Sequence, residues 1–277
     1  KTGQGKFTDK NLSVEFMVNG KTTSWKPGLA NTKNLLGTTR TLDGVDGPAK
    51  EPEKGIISRD GWYLIDDSER PLFDNSDWPW VMARPGDKPQ DLYLFAYDSD
   101  YKTALKDYTD IAGKIAMPPR FAFGAWWSRY REYSDTEFRD LVGEFKMHDV
   151  PLDVFVIDMD WHIKSLPEFF KNGQRQRDQA GEDAGWTGFT WNKNLFPSPE
   201  KFLKWTDEQH LKTCLNLHPA SGIQPFEEVY PEMAKAMGID PASKKYVPFD
   251  ITDKKFATNY MNLVLHPIEK AGVDFWW

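Results

Sequence analysis

Two short runs combine carboxylates, an amide, imidazoles and an indole in an order that suits the binding of a polyol. Asp158-Met-Asp160-Trp161-His162 follows the apolar run Leu152–Ile157, and Asn216-Leu-His218-Pro219 follows Leu211–Leu215. Trp126-Trp127-Ser128-Arg129 and Trp276-Trp277 end two further apolar runs. Carboxylates and amides hydrogen-bond hydroxyls, and indole faces cover the C–H faces of a sugar ring. An aspartate at a strand end also serves as an Asx turn or a helix N-cap. One of Asp158 and Asp160 is expected to face away from the pocket.

Other chemistries find no matching pattern. The five histidines show no His-x-x-x-His spacing and Cys214 is the sole cysteine, so no metal site is expected. No Gly-x-Gly-x-x-Gly or P-loop speaks for a nucleotide, and no Gly-x-Ser-x-Gly supplies a nucleophile elbow. No cofactor is expected.

These residues matter because of the elements that must position them. From about residue 120 onward, strand-like and helix-like runs alternate, which predicts a parallel sheet with right-handed crossovers. The strands are Phe121–Trp126, Leu152–Ile157, Leu211–Leu217 and Val273–Trp277. Between them lie a helix opened by the capping box Ser134-Asp-Thr-Glu137, one opened by Ser198-Pro199, and one near Asp253–Lys270. Parallel strands are buried along their length, so polar residues gather at their C-terminal ends, where a barrel carries its site. A closed barrel takes about 250 residues, and four strand signals make half of one. Lys171–Gly185, polar and charged, reads as a long active-site loop or insertion.

The first hundred residues read differently. Ser13–Val18 and Thr22–Trp25 flank the hairpin signal Asn19-Gly20, and further strand signals follow at Gly55–Ile57, Trp62–Ile65 and Leu92–Tyr97, with a longer loop at Gly44–Pro48. The expected organisation is an antiparallel β-sandwich over 1–100, a helical linker over 101–119 ending at Pro118-Pro119, and half a (β/α)8 barrel over 120–277.

Composition limits the partners. A net charge of -7 over 277 residues gives little reason to bind nucleic acid. No apolar run is long enough to span a bilayer. One cysteine does not separate a reducing cytoplasm from a periplasm or a secreted setting with its signal removed, so localisation stays open.

Taken together and in order, Phe123-Gly-Ala-Trp-Trp-Ser-Arg-Tyr-Arg131, Asp153-Val-Phe-Val-Ile-Asp158-Met-Asp-Trp161, Phe189-Thr-Trp191-Asn-Lys-Asn-Leu-Phe-Pro-Ser-Pro199 and Gly272-Val-Asp-Phe-Trp-Trp277 resemble the first half of the catalytic barrel of glycoside hydrolase family 31. Gly61-Trp62-Tyr63 through Ser68 is similar to part of that family's N-terminal β-sandwich.

The resemblance implies a retaining exo-α-glycosidase, most simply an α-glucosidase, acting on oligosaccharides. It makes Asp158 a ligand of sugar hydroxyls, with Trp161, Trp191 and Trp277 as aromatics near the same subsite. Asp160, Trp127, Asn216 and His218 join them as strand-end candidates. Asn216 and His218 would stand at the fourth strand end if the insertion hides a short extra strand. The nucleophile would follow Trp277, with the acid/base beyond it, so the chain alone is expected to be inactive. An alternative expectation is a non-catalytic carbohydrate-binding protein. Half a barrel is also expected to self-associate through its open edge.

Overall fold

The computed structural model describes residues 5–37, 52–86 and 90–277, so the loop expected at Gly44–Pro48 lies outside the described residues. The chain divides into two compact units, Lys1–Met117 and Pro118–Trp277.

In the first unit Asn19 and Gly20 both take positive φ, of 53° and 67°. That joins β1 (Val14–Val18) to β2 (Lys21–Trp25) as an antiparallel hairpin pairing Val18 with Lys21. β3 (Trp62–Asp66) pairs antiparallel with β6 (Leu92–Ala96), and β4 (Leu72–Phe73) with β5 (Val81–Met82). Val18, Trp25 and Trp62 form a small core joined by Phe16, Leu64 and Leu94. Every ladder here is antiparallel and two-stranded among the described residues. Ile56 and Ile57 form no strand, because the chain there makes only an isolated Asn34–Ser58 bridge. Within the expected linker, Tyr101–Ala112 is α1, capped by Asp100, whose side chain accepts from Thr103 N. Its Ala104 is 1% exposed, so the helix is packed into this unit.

The second unit is built on one parallel sheet. β7 (Trp126–Trp127), β8 (Val154–Ile157), β11 (Lys212–Leu215) and β12 (Phe275–Trp276) lie in the order β12-β11-β8-β7. The insertion holds a separate antiparallel pair, β9 (Phe170–Lys171) with β10 (Gln174–Arg175). The first barrel strand is shorter than expected, since Arg120–Phe123 is a 3-10 turn. β11 also hydrogen-bonds directly to β8. No strand of the insertion intervenes, so Asn216 and His218 stand at the third strand end, not the fourth.

α2 (Asp135–Met147) starts at the expected box, with Ser134 and Glu137 capping each other. α3 (Pro199–Glu208), α4 (Tyr230–Ala236), α5 (Lys254–Asn259) and α6 (His266–Lys270) follow. The helix expected over Asp253–Lys270 is continuous but π-helical over Tyr260–Leu265. Pro267 has no N–H to donate to the preceding turn, which favours such a widening.

The two sides of the sheet differ. Phe155, Ile157 and Leu215 pack against Phe138 and Val142 of α2, Phe202 and Leu203 of α3, and Ile268 of α6. On the other side Val154, Val156 and Cys214 form a small cluster packed by Phe121 and Phe275. Helices on one side alone fit a barrel wall, whose other side is the lumen, and not a doubly wound sheet with helices on both.

Candidate carbohydrate site at the strand ends

Strand periodicity places the site. Trp126, Val156, Cys214 and Phe275 look toward the lumen side, so the residues two further on, Ser128, Asp158, Asn216 and Trp277, look the same way at the C-terminal ends. These four, with Val156, Leu217 and His218, line a cleft of about 160 Å3.

Inside it, Asn216 Nδ2 donates to Asp158 Oδ1, which also accepts from Met159 N at 2.7 Å. Asn216 Oδ1 and His218 Nδ1 are buried with no hydrogen-bond partner. The His218 ring lies 5.0 Å from Trp186 in an edge arrangement, and Thr187 Oγ1 donates to His218 O while accepting from Ser221 N at 3.1 Å. The cleft thus offers an anionic acceptor, two orphaned polar atoms and the indole of Trp277, 63% exposed. Orphaned buried polar atoms are uncommon and call for a partner; sugar hydroxyls can both donate and accept.

The same alternation sends other candidates elsewhere. Trp127 stacks on Phe155 at 5.4 Å, against Tyr133 and Phe138, and belongs to the helix-side core. Trp161 is 0% exposed, with its indole Nε1 donating to Asn216 O at 3.0 Å. Trp161 has no indole face open to a sugar and is corrected from a direct contact to a support beneath the cleft, while Trp127, partly buried, is corrected to a packing residue on the helix side of the sheet.

Asp160 parts from Asp158 because the chain turns into a 3-10 helix at Met159–Trp161. Its carboxylate pairs with Lys164 Nζ at 2.8 Å on a second cleft of about 520 Å3, which Trp191 also lines.

One buried acid carries no motif signal in the sequence. Glu227 is 3% exposed, and its Oε2 accepts from Phe189 N at 3.1 Å and Thr190 Oγ1 at 2.6 Å. Burial, opposed by those hydrogen bonds, pushes its carboxyl up to about 7. Trp186, Thr187 and Glu227 lie in irregular loops where pattern reading has little purchase. Burial also pushes the Cys214 thiol up to about 12, which keeps it an unreactive part of the inner face. Among the described residues no three His, Cys, Asp or Glu side chains gather as a metal site, and no helix is long and apolar enough to cross a membrane.

Comparison with known proteins agrees with this geometry. The chain is 29% identical over 167 residues to alpha-xylosidase XylQ of Lactiplantibacillus pentosus, covering 59% of this chain and 19% of the relative. To an alpha-xylosidase of Saccharolobus solfataricus it is 23% identical over 185 residues, covering 67% and 22%. To alpha-glucosidase 2 of Bacillus thermoamyloliquefaciens it is 27% identical over 142 residues, covering 51% and 15%. The chain therefore spans about a fifth of the length of these relatives. A solved GH31 dextranase of Flavobacterium johnsoniae, complexed with glucose, superposes with a TM-score of 0.52 at 19% identity, covering 88% of this chain and 29% of that one. That likeness bears on the fold, a partial barrel. Residues 115–277, more than half the chain, match the TIM-barrel domain of glycosyl hydrolases family 31, and the chain belongs to that family.

Proposed function

We propose that this chain is the sugar-gripping part of a retaining exo-α-glycosidase, most simply an α-glucosidase, and that its N-terminal unit is part of a β-sandwich domain. The observation that carries the reading is the Asp158 cleft: one carboxylate held by Asn216, with His218 and Trp277, at the C-terminal ends of four parallel strands. Asp158 would accept hydroxyl hydrogens, Asn216 and His218 would meet neighbouring hydroxyls, and Trp277 would cover the ring.

Retaining hydrolysis needs two carboxyl groups about 5–5.5 Å apart. Asp158 is the one carboxylate lining its cleft, since Asp160 is paired with Lys164 in the other. The bond-breaking pair is therefore assigned to other parts of the protein, and these 277 residues are predicted not to turn over substrate. The relatives named as alpha-xylosidase and alpha-glucosidase support an α-glycoside as substrate class.

The test compares the protein from the full reading frame with its Asp158→Ala variant on 4-nitrophenyl α-glucoside and α-xyloside. Losing several hydrogen bonds to a charged acceptor should cost at least 100-fold, roughly 3 kcal/mol, in kcat/KM. Unchanged kcat/KM in the variant, or turnover by the 277-residue chain alone, would overturn the assignment.

A further inference from the structure

The cleft of about 520 Å3 beside Asp160 is larger than the Asp158 cleft, and the two share no lining residue. Its volume falls within the usual range of small-molecule sites, roughly 300–1,000 Å3. Trp191 contributes a half-buried indole, held edge-on by Trp161 at 5.3 Å and Phe196 at 5.3 Å. Asp160, its side chain 9% exposed, contributes a fixed carboxylate, and Glu132 and Asn192 supply further polar groups at the wall.

The cations here are already engaged. Lys164 pairs with Asp160, and Lys193 with Glu228 at 2.9 Å. Arg175, on the hairpin of the insertion, donates to the carbonyls of Lys164 and Ala184 at 2.8 and 2.5 Å. An anionic ligand would have to break one of these contacts, and three acidic side chains line the same space. A neutral polyol needs no such exchange, because its hydroxyls match both kinds of group. The insertion that forms one wall is tied down by Gln179, which donates to Lys244 O at 2.8 Å and accepts from Tyr246 N at 3.1 Å. The wall is thus preorganised.

We propose that this cleft, between the Trp191 loop and the insertion hairpin, is a second saccharide-binding site, separate from the Asp158 cleft and without a catalytic role. The choice of a sugar as ligand rests on reading the chain as part of a carbohydrate-active protein; the location of the site does not.

The experiment immobilises the 277-residue chain and titrates maltotriose by surface plasmon resonance, with inorganic phosphate as the anionic comparison. Asp158→Ala takes the carboxylate acceptor out of the first cleft and is expected to leave saturable binding of roughly millimolar affinity. Adding Trp191→Leu to that variant should abolish it. Because Trp191 also packs on the core, a second combination adds Glu132→Ala and Asn192→Ala, neither of which belongs to a core cluster, and should weaken binding about tenfold. Loss of all saturable binding in Asp158→Ala alone would overturn the second site while leaving the proposed function standing. Binding that survives Trp191→Leu, or phosphate binding more tightly than maltotriose, would overturn it as well. No saturable maltotriose binding by the unmodified chain would overturn the site and the carbohydrate reading together.

Discussion

Glu227 and His162 are buried against the same short loop, Gly188–Trp191, and burial shifts their pKa values in opposite directions. Glu227 holds Phe189 and Thr190, while His162 bridges to Trp191 and packs under Gly188, where an added Cβ would clash with its Nδ1. Burial lifts the Glu227 carboxyl from 4.5 to about 7 and lowers the His162 imidazole from 6.5 to about 4. Between those two values for Glu227, the folded chain holds a proton that the unfolded chain has released, so this contribution to stability falls as pH rises. His162 works the other way, since between its two values the unfolded chain holds the extra proton and stability rises with pH. Over the shared window the two slopes largely cancel. Glu227→Gln should therefore unmask the rise due to His162, steepening the pH dependence by about 1.4 kcal/mol per pH unit relative to the parent chain. Urea midpoints at about pH 5 and 6 give the answer, because neighbours such as Glu228 and Lys164 act in both chains. Parallel curves for the two chains would rule out a raised Glu227 pKa.

The strands of the second unit carry different work at their two ends. At the start of β8, Asp153 Oδ2 accepts from Ala125 N at 2.8 Å, docking the approach to β7. Beside β12, Asp274 accepts from Thr213 N at 2.8 Å and Lys212 Nζ at 2.7 Å, docking β11. These carboxylates stitch the sheet at the end remote from the clefts. Thr213 is 0% exposed, so Asp274→Ala leaves its buried N–H without a partner, which should cost about 1–3 kcal/mol in urea unfolding. Asp274→Asn, which keeps an acceptor, should cost less, and neither should alter sugar binding. Equal losses in both variants would shift the weight from the acceptor to the charge. Much of this arrangement was legible in the sequence because buried parallel strands advertise themselves: Val154–Ile157, with all four residues at most 2% exposed, ends where Asp158 begins. The period of two was equally available for the tryptophans, and it would have turned Trp126 to the lumen side and Trp127 to the helices. It gives no ground for the expectation that one of Asp158 and Asp160 faces away, because strict alternation keeps them on one face and only the turn at Met159–Trp161 parts them. Glu227 was out of reach for another reason, as its partners at Phe189 and Thr190 are nearly forty residues away in sequence.

At the scale of the whole molecule, the four-stranded sheet has β7 and β12 as its edges, and among the described residues its lumen side is packed by Phe121 and Phe275, not by the α-helices of the core. Trp126 stacks edge-on with Phe275 at 5.4 Å and with Trp277 at 6.1 Å, yet remains 42% exposed. With Trp277 at 63%, the lumen side offers water aromatic surface, and Phe123, 79% exposed in the 3-10 turn before β7, adds more on the approach to the sheet. The -7 net charge works against contact between identical copies, but it is a long-range, screenable repulsion, whereas aromatic burial is a short-range attraction that salt does not weaken. Association of the isolated chain is thus expected to grow with both protein concentration and ionic strength. Sedimentation velocity over a roughly hundredfold concentration range should show species heavier than the 32.0 kDa monomer, more of them at high salt. Phe123→Asp combined with Trp126→Asp places charges on the exposed group and should return the chain to a monomer. A single 32.0 kDa species at every concentration and salt, with the aromatic residues intact, would show that this surface does not drive association.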